Sequence, residues 1–101
     1  DAAEAFLVAG ATDAVNGEVF NVGGDEHFTH REVVDLLVRT AGTGRYRFVE
    51  WPAEKKVIDI GSFYADSTLF KSRTGWVPRV GLAEGLRRTL DYYRTRMEHY
   101  A

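Results

Sequence analysis

The stretch EVFNVGGDEHFTHREVVDLLVRTAGTGRYRFVEW, residues 18–51, contains the pattern that decides the predicted fold. Its first part, EVFNVGG, is dense in Val and Phe and ends on Gly, which is typical of a strand buried in a parallel sheet. Its last part, RYRFVEW, has the alternation of side chains expected of a strand. A capped helix lies between them. The stretch therefore predicts a β-α-β unit with parallel strands and a right-handed crossover.

The helix inside this unit has recognisable start and stop residues. Thr29 and Glu32 have the T-x-x-E spacing of a capping box, in which the Thr hydroxyl accepts the amide of Glu32 and the Glu carboxylate reaches back to the first backbone amide. Gly42 follows the last apolar position, where a left-handed residue ends a helix. We expect the buried side of the helix to carry Val34, Leu37, Val38 and Ala41.

A further helix is predicted before the β-α-β unit. The segment AAEAFLVAGA, residues 2–11, is rich in good helix formers. Its pattern favours a helix that carries Phe6, Leu7 and Ala9–Gly10 towards the core. Asn16-Gly17 then marks a turn before the first predicted strand.

Two more helices are predicted after the unit. Asp66 can cap a short helix that runs through Arg73 and stops at Gly75. The last helix is predicted from about Leu82 to His99, with an apolar stripe formed by Leu82, Leu86, Leu90, Tyr93 and Met97. The predicted fold is a small α/β domain with two short parallel strands, room for a third extended segment, and about four covering helices.

Composition limits the classes of function. The chain has 101 residues, 45% hydrophobic and 28% charged, with a formal net charge of -2 and no Cys. One compact domain is expected, and the charge gives no reason to expect nucleic acid or an anionic membrane as partner. The absence of Cys excludes disulfides and thiolate metal sites, so a reducing cytoplasm is the expected location. The chain starts without Met inside a predicted helix, and we expect it to be part of a longer protein.

The sequence contains no complete catalytic motif. Gly23-Gly24 and Gly42-x-Gly44 lack the third glycine of a dinucleotide-binding turn, and neither a G-x-S-x-G elbow nor a Tyr-x-x-x-Lys pair occurs. His27 and His30 lie close to two acidic residues, which raises the question of a metal site. Polar residues are common at helix starts, so we predict no metal site here.

The stretch EKKVIDIGSFYADSTLF, residues 54–70, places charges inside an otherwise apolar run. By local pattern alone, Lys55 and Lys56 are read as solvated charges at an edge, and Asp59 as a carboxylate bonded to backbone amides in a loop. The alternative interpretation, that Lys56 and Asp59 bind a ligand, remains open.

Three segments in this order resemble a known family. They are GEVFNVGG before a capped helix, KKVIDIGSFYAD, and TGWVPRVGLAEGLRRTLDYYR, of which the "GW-P…L-EGL…T-Y" signature is the most specific. The chain resembles the C-terminal part of NAD-dependent nucleotide-sugar epimerases and dehydratases, which belong to the extended short-chain dehydrogenase/reductase family. The family includes UDP-glucose 4-epimerases and dTDP-glucose 4,6-dehydratases. The resemblance covers residues 1–101, and the opening helix is similar to the family's Asp-Val-Ala helix with Ala2 in place of Val.

The resemblance implies two domains with different roles. An N-terminal Rossmann domain, absent from these residues, would hold NAD and the catalytic Tyr and Lys, while residues 1–101 would form a single C-terminal domain that binds the nucleotide-diphosphate sugar. The chain itself would bind no cofactor and contain no catalytic residue. Lys56 falls at the family's Arg that contacts the diphosphate, and Asp59 at the acid that holds the ribose. Three departures weaken the match: Lys replaces Arg, Val57-Ile58 replace Pro-Gly, and Gly81 stands where Ser often begins the last helix.

The expected function is therefore nucleotide-sugar binding within a cytoplasmic enzyme of carbohydrate metabolism, an isomerase or a lyase. The parent enzyme would transfer hydride between sugar C4 and NAD, and it would dimerise through its Rossmann half. Whether the parent epimerises, dehydrates or reduces stays open. The alternative is a stand-alone, non-catalytic binding or scaffold module of the same fold.

Overall fold

The computed structural model describes residues 1–100, and its regular elements are helices. They are α1 (Ala2–Gly10), α2 (His30–Ala41), α3 (Ala53–Lys56), α4 (Thr68–Thr74) and α5 (Leu82–Arg94), with single 3₁₀ turns at Asp13–Val15 and Met97–His99. Four of the five helices lie where the sequence predicts them. The short α3 was not predicted.

The predicted parallel strands are the main difference between sequence and structure. Among residues 1–100 neither EVFNVGG nor RYRFVEW pairs with another segment, and both are irregular. Parallel strands are stable in sheets that are covered on both faces, and a lone pair is marginal. Here Val19 is 92% exposed and Phe48 is 71% exposed. The β-α-β prediction is not met in these residues because the two segments lack the packing that would hold them together.

Helix α2 begins and ends as the sequence predicts. The Thr29 hydroxyl accepts the amide of Glu32 at 3.2 Å, and the Glu32 carboxylate accepts the amide of Thr29 at 2.7 Å. Gly42 ends the helix in the left-handed conformation, with φ 69°. Of the predicted buried positions Val34, Val38 and Ala41 are half-buried, whereas Leu37 is 38% exposed.

The core lies between α1, α4 and the segment that leaves α4. Phe70 of α4 is 2% exposed and packs with Trp76 and Ala5, the ring centroids of Phe70 and Trp76 being 5.6 Å apart. Helix α1 contributes the face that contains Ala5, Val8 and Ala9. The prediction that Phe6 and Leu7 are buried in the core is wrong, because these side chains are 81% and 74% exposed.

Helix α5 is shorter than predicted. It ends at Arg94 instead of continuing to His99. The Thr95 hydroxyl donates to the carbonyl oxygen of Tyr92 at 3.0 Å, and the Arg96 amide bonds to Tyr93 at 2.9 Å in the tighter 3₁₀ pattern. The first half of the predicted stripe is half-buried, and its end at Met97 is exposed. The helix packs against α2, with Arg94 donating to the carbonyl of Ala41 at 2.9 Å.

The overall arrangement is open. The radius of gyration is 17.4 Å, against about 13 Å for a compact domain of this length. The exposed surface is 8529 Å², against roughly 5,800 Å² for a compact protein of this mass. None of the helices within residues 1–100 is long and apolar enough to cross a membrane.

Candidate functional site

An open groove of about 980 Å³ lies between two segments of the chain. One side is residues 23–33, called here the groove wall, which leads into α2. The other side is residues 59–65, and Trp51 and Leu82 complete the lining. The lining includes polar side chains that could contact a ligand: Glu26, His27, Thr29, His30, Glu32, Asp59, Ser62 and Tyr64.

The start of the groove wall is fixed to α4. Ser67, a buried polar residue just before α4, accepts the amide of Gly23 at 2.8 Å and donates to its carbonyl at 3.1 Å. Lys71 of α4 forms an ion pair with Asp25. A Cβ at Gly23 would lie 3.0 Å from the Cβ of Ala65, so glycine allows the wall to approach the opposite segment closely.

The same wall is also bonded to α5. The amide of Leu82, the first residue of α5, donates to Glu26 Oε2 at 2.6 Å. Glu26 therefore satisfies the first free amide of α5, whereas a Ser at position 81 would accept an amide of the second or third helical residue; Gly81 has no side chain to do so. The missing hydroxyl at Gly81 is evident from the sequence, but the carboxylate that bonds the start of α5 lies 56 positions away in the chain, beyond the reach of a local pattern.

Aromatic side chains cross the groove. The rings of His27 and Tyr64 contact each other, with centroids 4.3 Å apart and planes inclined at 42°. This contact joins the groove wall to the opposite segment. Trp51 is 53% exposed at the groove, whereas Trp76 is in the core.

The two predicted ligand residues are placed differently. Asp59 lines the groove. Lys56 is the last residue of α3, is exposed, and is not among the lining residues. The amide of Asp59 bonds to the carbonyl of Lys56 at 3.4 Å, so one backbone turn brings the two positions together.

The charged groups that line the groove are acidic. Among the described residues Glu26, Glu32 and Asp59 line it, and no Lys or Arg does. The hydrogen bonds that Glu32 accepts from Thr29 lower the pKa of its carboxyl, so the carboxylate stays ionised and committed to the capping box. No cluster of three metal-ligating side chains occurs within residues 1–100.

A second, smaller pocket lies beside α1. It has a volume of about 370 Å³ and is lined by Ala2, Ala5, Phe6, Ala9, Phe20, Val22 and Phe70. These side chains are all apolar, so the pocket offers no group that could orient a charged or hydroxylated ligand.

The chain is similar to curated nucleotide-sugar enzymes. It is 35% identical over 77 residues to a dTDP-glucose 4,6-dehydratase of Streptomyces griseus, and this match covers 76% of the chain and 23% of the relative. A second dTDP-glucose 4,6-dehydratase, from Streptomyces antibioticus, is 35% identical over 78 residues, which are 77% of the chain and 23% of that enzyme. A UDP-glucose 4-epimerase of Mycolicibacterium smegmatis is 29% identical over 98 residues, covering 97% of the chain and 30% of the epimerase.

The matched regions cover only a small part of each relative's length. The chain spans about a quarter of the length of the curated relatives it matches. No family model matches the chain, and no solved structure matches it. The resemblance predicted from the three sequence segments is confirmed by these relatives.

Proposed function

Because this chain is homologous to part of the extended short-chain dehydrogenase/reductase family, we propose that it is the nucleotide-sugar-binding part of an NAD-dependent sugar epimerase or 4,6-dehydratase. The ligand would be a nucleotide-diphosphate sugar held in the groove between residues 23–33 and 59–65. Residues 1–101 would act as one substrate-binding domain of a larger enzyme.

The position of Asp59 is the structural observation that carries this proposal. Asp59 lines a groove of about 980 Å³, which falls within the size range of small-molecule sites. An ionised carboxylate only accepts hydrogen bonds, and the hydroxyls of a ribose are suitable donors. Asp59 would therefore hold the sugar end of the nucleotide.

Lys56 would supply positive charge to the diphosphate. It lies one turn before Asp59, and its long flexible stem can extend from the exposed end of α3. The described lining residues include no Lys or Arg, so the positive charge would have to reach the ligand from outside the lining, and Lys56 lies one turn before Asp59. An ammonium gives a point charge instead of a bidentate fork, so the diphosphate would be held less rigidly than by Arg.

The chemistry of the proposed enzyme would lie in the remaining part of a longer chain. NAD, the Tyr and Lys that act in hydride transfer, and a dimer interface would all belong to an N-terminal Rossmann domain. The substrate-binding part would contribute binding energy at the nucleotide, which orients the sugar ring for reaction. Residues 1–101 alone would therefore show no turnover and bind no NAD.

The test is a nuclear magnetic resonance titration of the chain with dTDP and UDP. We expect the amide signals of Lys56 and Asp59 to shift on titration, and Lys56→Ala to weaken binding by about tenfold, as expected for loss of a charge-assisted contact. Lys55→Ala is the matched control, because it removes the neighbouring charge from the same short helix and should leave the affinity nearly unchanged. Asp59→Asn tests the carboxylate separately.

Two results would contradict the proposal. Equal loss of affinity in Lys55→Ala and Lys56→Ala would show that only net charge matters. Absence of any shift at residues 56–65 with either nucleotide would remove the groove as the binding site and would favour a non-catalytic scaffold module.

A further inference from the structure

Helix α5 starts without a side-chain cap of its own. Its N-cap is Gly81, and no side chain within the helix or next to it accepts the first amides. The Glu26 carboxylate takes this role across the fold, since Leu82 donates to Glu26 Oε2 at 2.6 Å. Carboxylates are favoured at a helix N-terminus because the unpaired amides and the helix dipole both attract negative charge.

Gly81 provides the space that this contact needs. A Cβ at position 81 would lie 2.8 Å from Glu26 Oε2, which is closer than a real contact allows. The backbone of Gly81 has φ -68° and ψ 162°, which any residue can adopt. Gly81 therefore leaves room for the carboxylate in this position, whereas a Cβ there would force the flexible end of the Glu26 side chain to shift.

Glu26 belongs to a segment that is bonded at both ends. Gly23 and Asp25 are joined to Ser67 and Lys71 at α4, and Glu26 is joined to α5. The segment then continues along the groove to Thr29 and the start of α2. Among the described residues, one hydrogen bond joins the groove wall to α5, and it runs from the Leu82 amide to Glu26.

We propose that Glu26 is a positioning residue, whose carboxylate holds the groove wall against the start of α5 and so sets the geometry of the groove. The carboxylate does two things at once: it caps α5, and it fixes residues 23–33. The effect on ligand affinity rests on the proposed function, but the effect on the wall itself does not.

The experiment uses four variants and two kinds of measurement. The variants are Glu26→Ala, Glu26→Gln, Gly81→Ser, and the double variant Glu26→Ala with Gly81→Ser. Amide chemical shifts of residues 29–33 in the free chain report the position of the wall, urea unfolding reports stability, and titration with dTDP and UDP reports affinity. Glu18→Ala is the matched control, because it removes a surface carboxylate whose ion pair with Arg73 lies outside the groove.

Glu26→Ala and Gly81→Ser should both shift the amides of residues 29–33, the first by removing the carboxylate and the second by displacing it. Both should weaken nucleotide binding by about fivefold or more, the usual lower range of coupling between sites. Glu26→Gln keeps an oxygen that can accept from Leu82 and should change both readouts least. In the double variant the new Ser hydroxyl caps α5, so stability recovers while the wall remains displaced.

The role of Glu26 as a positioning residue is overturned by either of two results. In the first, Glu26→Ala leaves the amides of residues 29–33 unmoved. In the second, the double variant restores those amide shifts together with stability, which would make Glu26 a helix cap and nothing more. If the wild-type chain binds neither nucleotide, the proposed function fails, and the shifts in the free chain still decide the role of Glu26.

Discussion

Phe70 holds the small core of this chain together. It is 2% exposed and contacts the rings of Phe20 and Trp76, with centroids 5.4 Å and 5.6 Å away. We expect Phe70→Ala to lower the free energy of unfolding by about 3–5 kcal/mol, the usual cost of removing a buried Phe. Phe6→Ala is the control, because Phe6 is 81% exposed and such surface changes usually stay within about 0.5 kcal/mol. Urea unfolding followed by tryptophan fluorescence measures both, and equal losses in the two variants would contradict the assignment of the core.

The contrast between Phe6 and Phe70 also shows what sequence could not predict at the level of single residues. Helix α1 is apolar on nearly every side, so its pattern does not indicate which face is buried. The structure buries the small face with Ala5, because a small side chain lets the helix approach Phe70 and Trp76 closely. Asp59 lines the groove, and the ribose contact that the family resemblance implies for it stays a prediction. Glu26 was missed because its partner is distant in sequence.

Helix α5 is stabilised by ion pairs on its exposed face, and these make its stability depend on pH. Arg87 and Arg88 hydrogen-bond to Glu84 at 2.7–2.8 Å and lower the pKa of its carboxyl to about 2. A depressed pKa in the folded state means that the contribution is complete above the ordinary pKa of Glu. It is then lost as pH falls from about 4.3 to about 2.

We therefore expect the free energy of unfolding of Glu84→Gln to fall less than that of the unchanged chain as the pH is lowered through that range. The pH dependence of the unfolding free energy that remains in Glu84→Gln will include contributions from Glu32 and Asp66. Their pKa values are also lowered, by hydrogen bonds from Thr29 and Thr68. Urea unfolding at several pH values measures the slope, and Glu98→Gln is the control because Glu98 contacts only His99 beyond the end of α5. Because all these groups are exposed, high salt should reduce the difference. An unchanged slope in Glu84→Gln would contradict the role of the ion pairs.

Helices and strands differ here in how far sequence could predict them. The start of α2 at Thr29 and its end at Gly42 depend on residues within one turn, so local sequence was sufficient. The end of α5 was misplaced because Tyr93 and Met97 continue the apolar spacing past Thr95, where the hydrogen bonds change. Strands depend on partners elsewhere, and the pattern of EVFNVGG and RYRFVEW contains no information on whether those partners are present.

The open shape of the whole molecule separates the predicted α/β fold from the structure. A β-α-β unit would bring residues 18–24 and 45–51 side by side and bury Val19 and Phe48, which would make the chain compact. A compact chain of this length has a radius of gyration of about 13 Å, whereas the structure has 17.4 Å and extends over 47 × 39 × 24 Å. We expect X-ray scattering of the isolated chain to give a value near the larger figure, since the core is limited to residues around Phe70 and Trp76.

Backbone carbon chemical shifts of the same sample supply the second half of this test. We expect helical shifts in α1, α2, α4 and α5, and no strand shifts in residues 18–24 and 45–51. If a longer protein that contains the chain shows strand shifts in these two segments, then the missing partners lie outside residues 1–101. That result would be consistent with the nucleotide-sugar enzyme, because the relatives are about four times as long as the matched region. A compact radius together with strand shifts in the isolated chain would instead contradict the open structure and restore the β-α-β prediction.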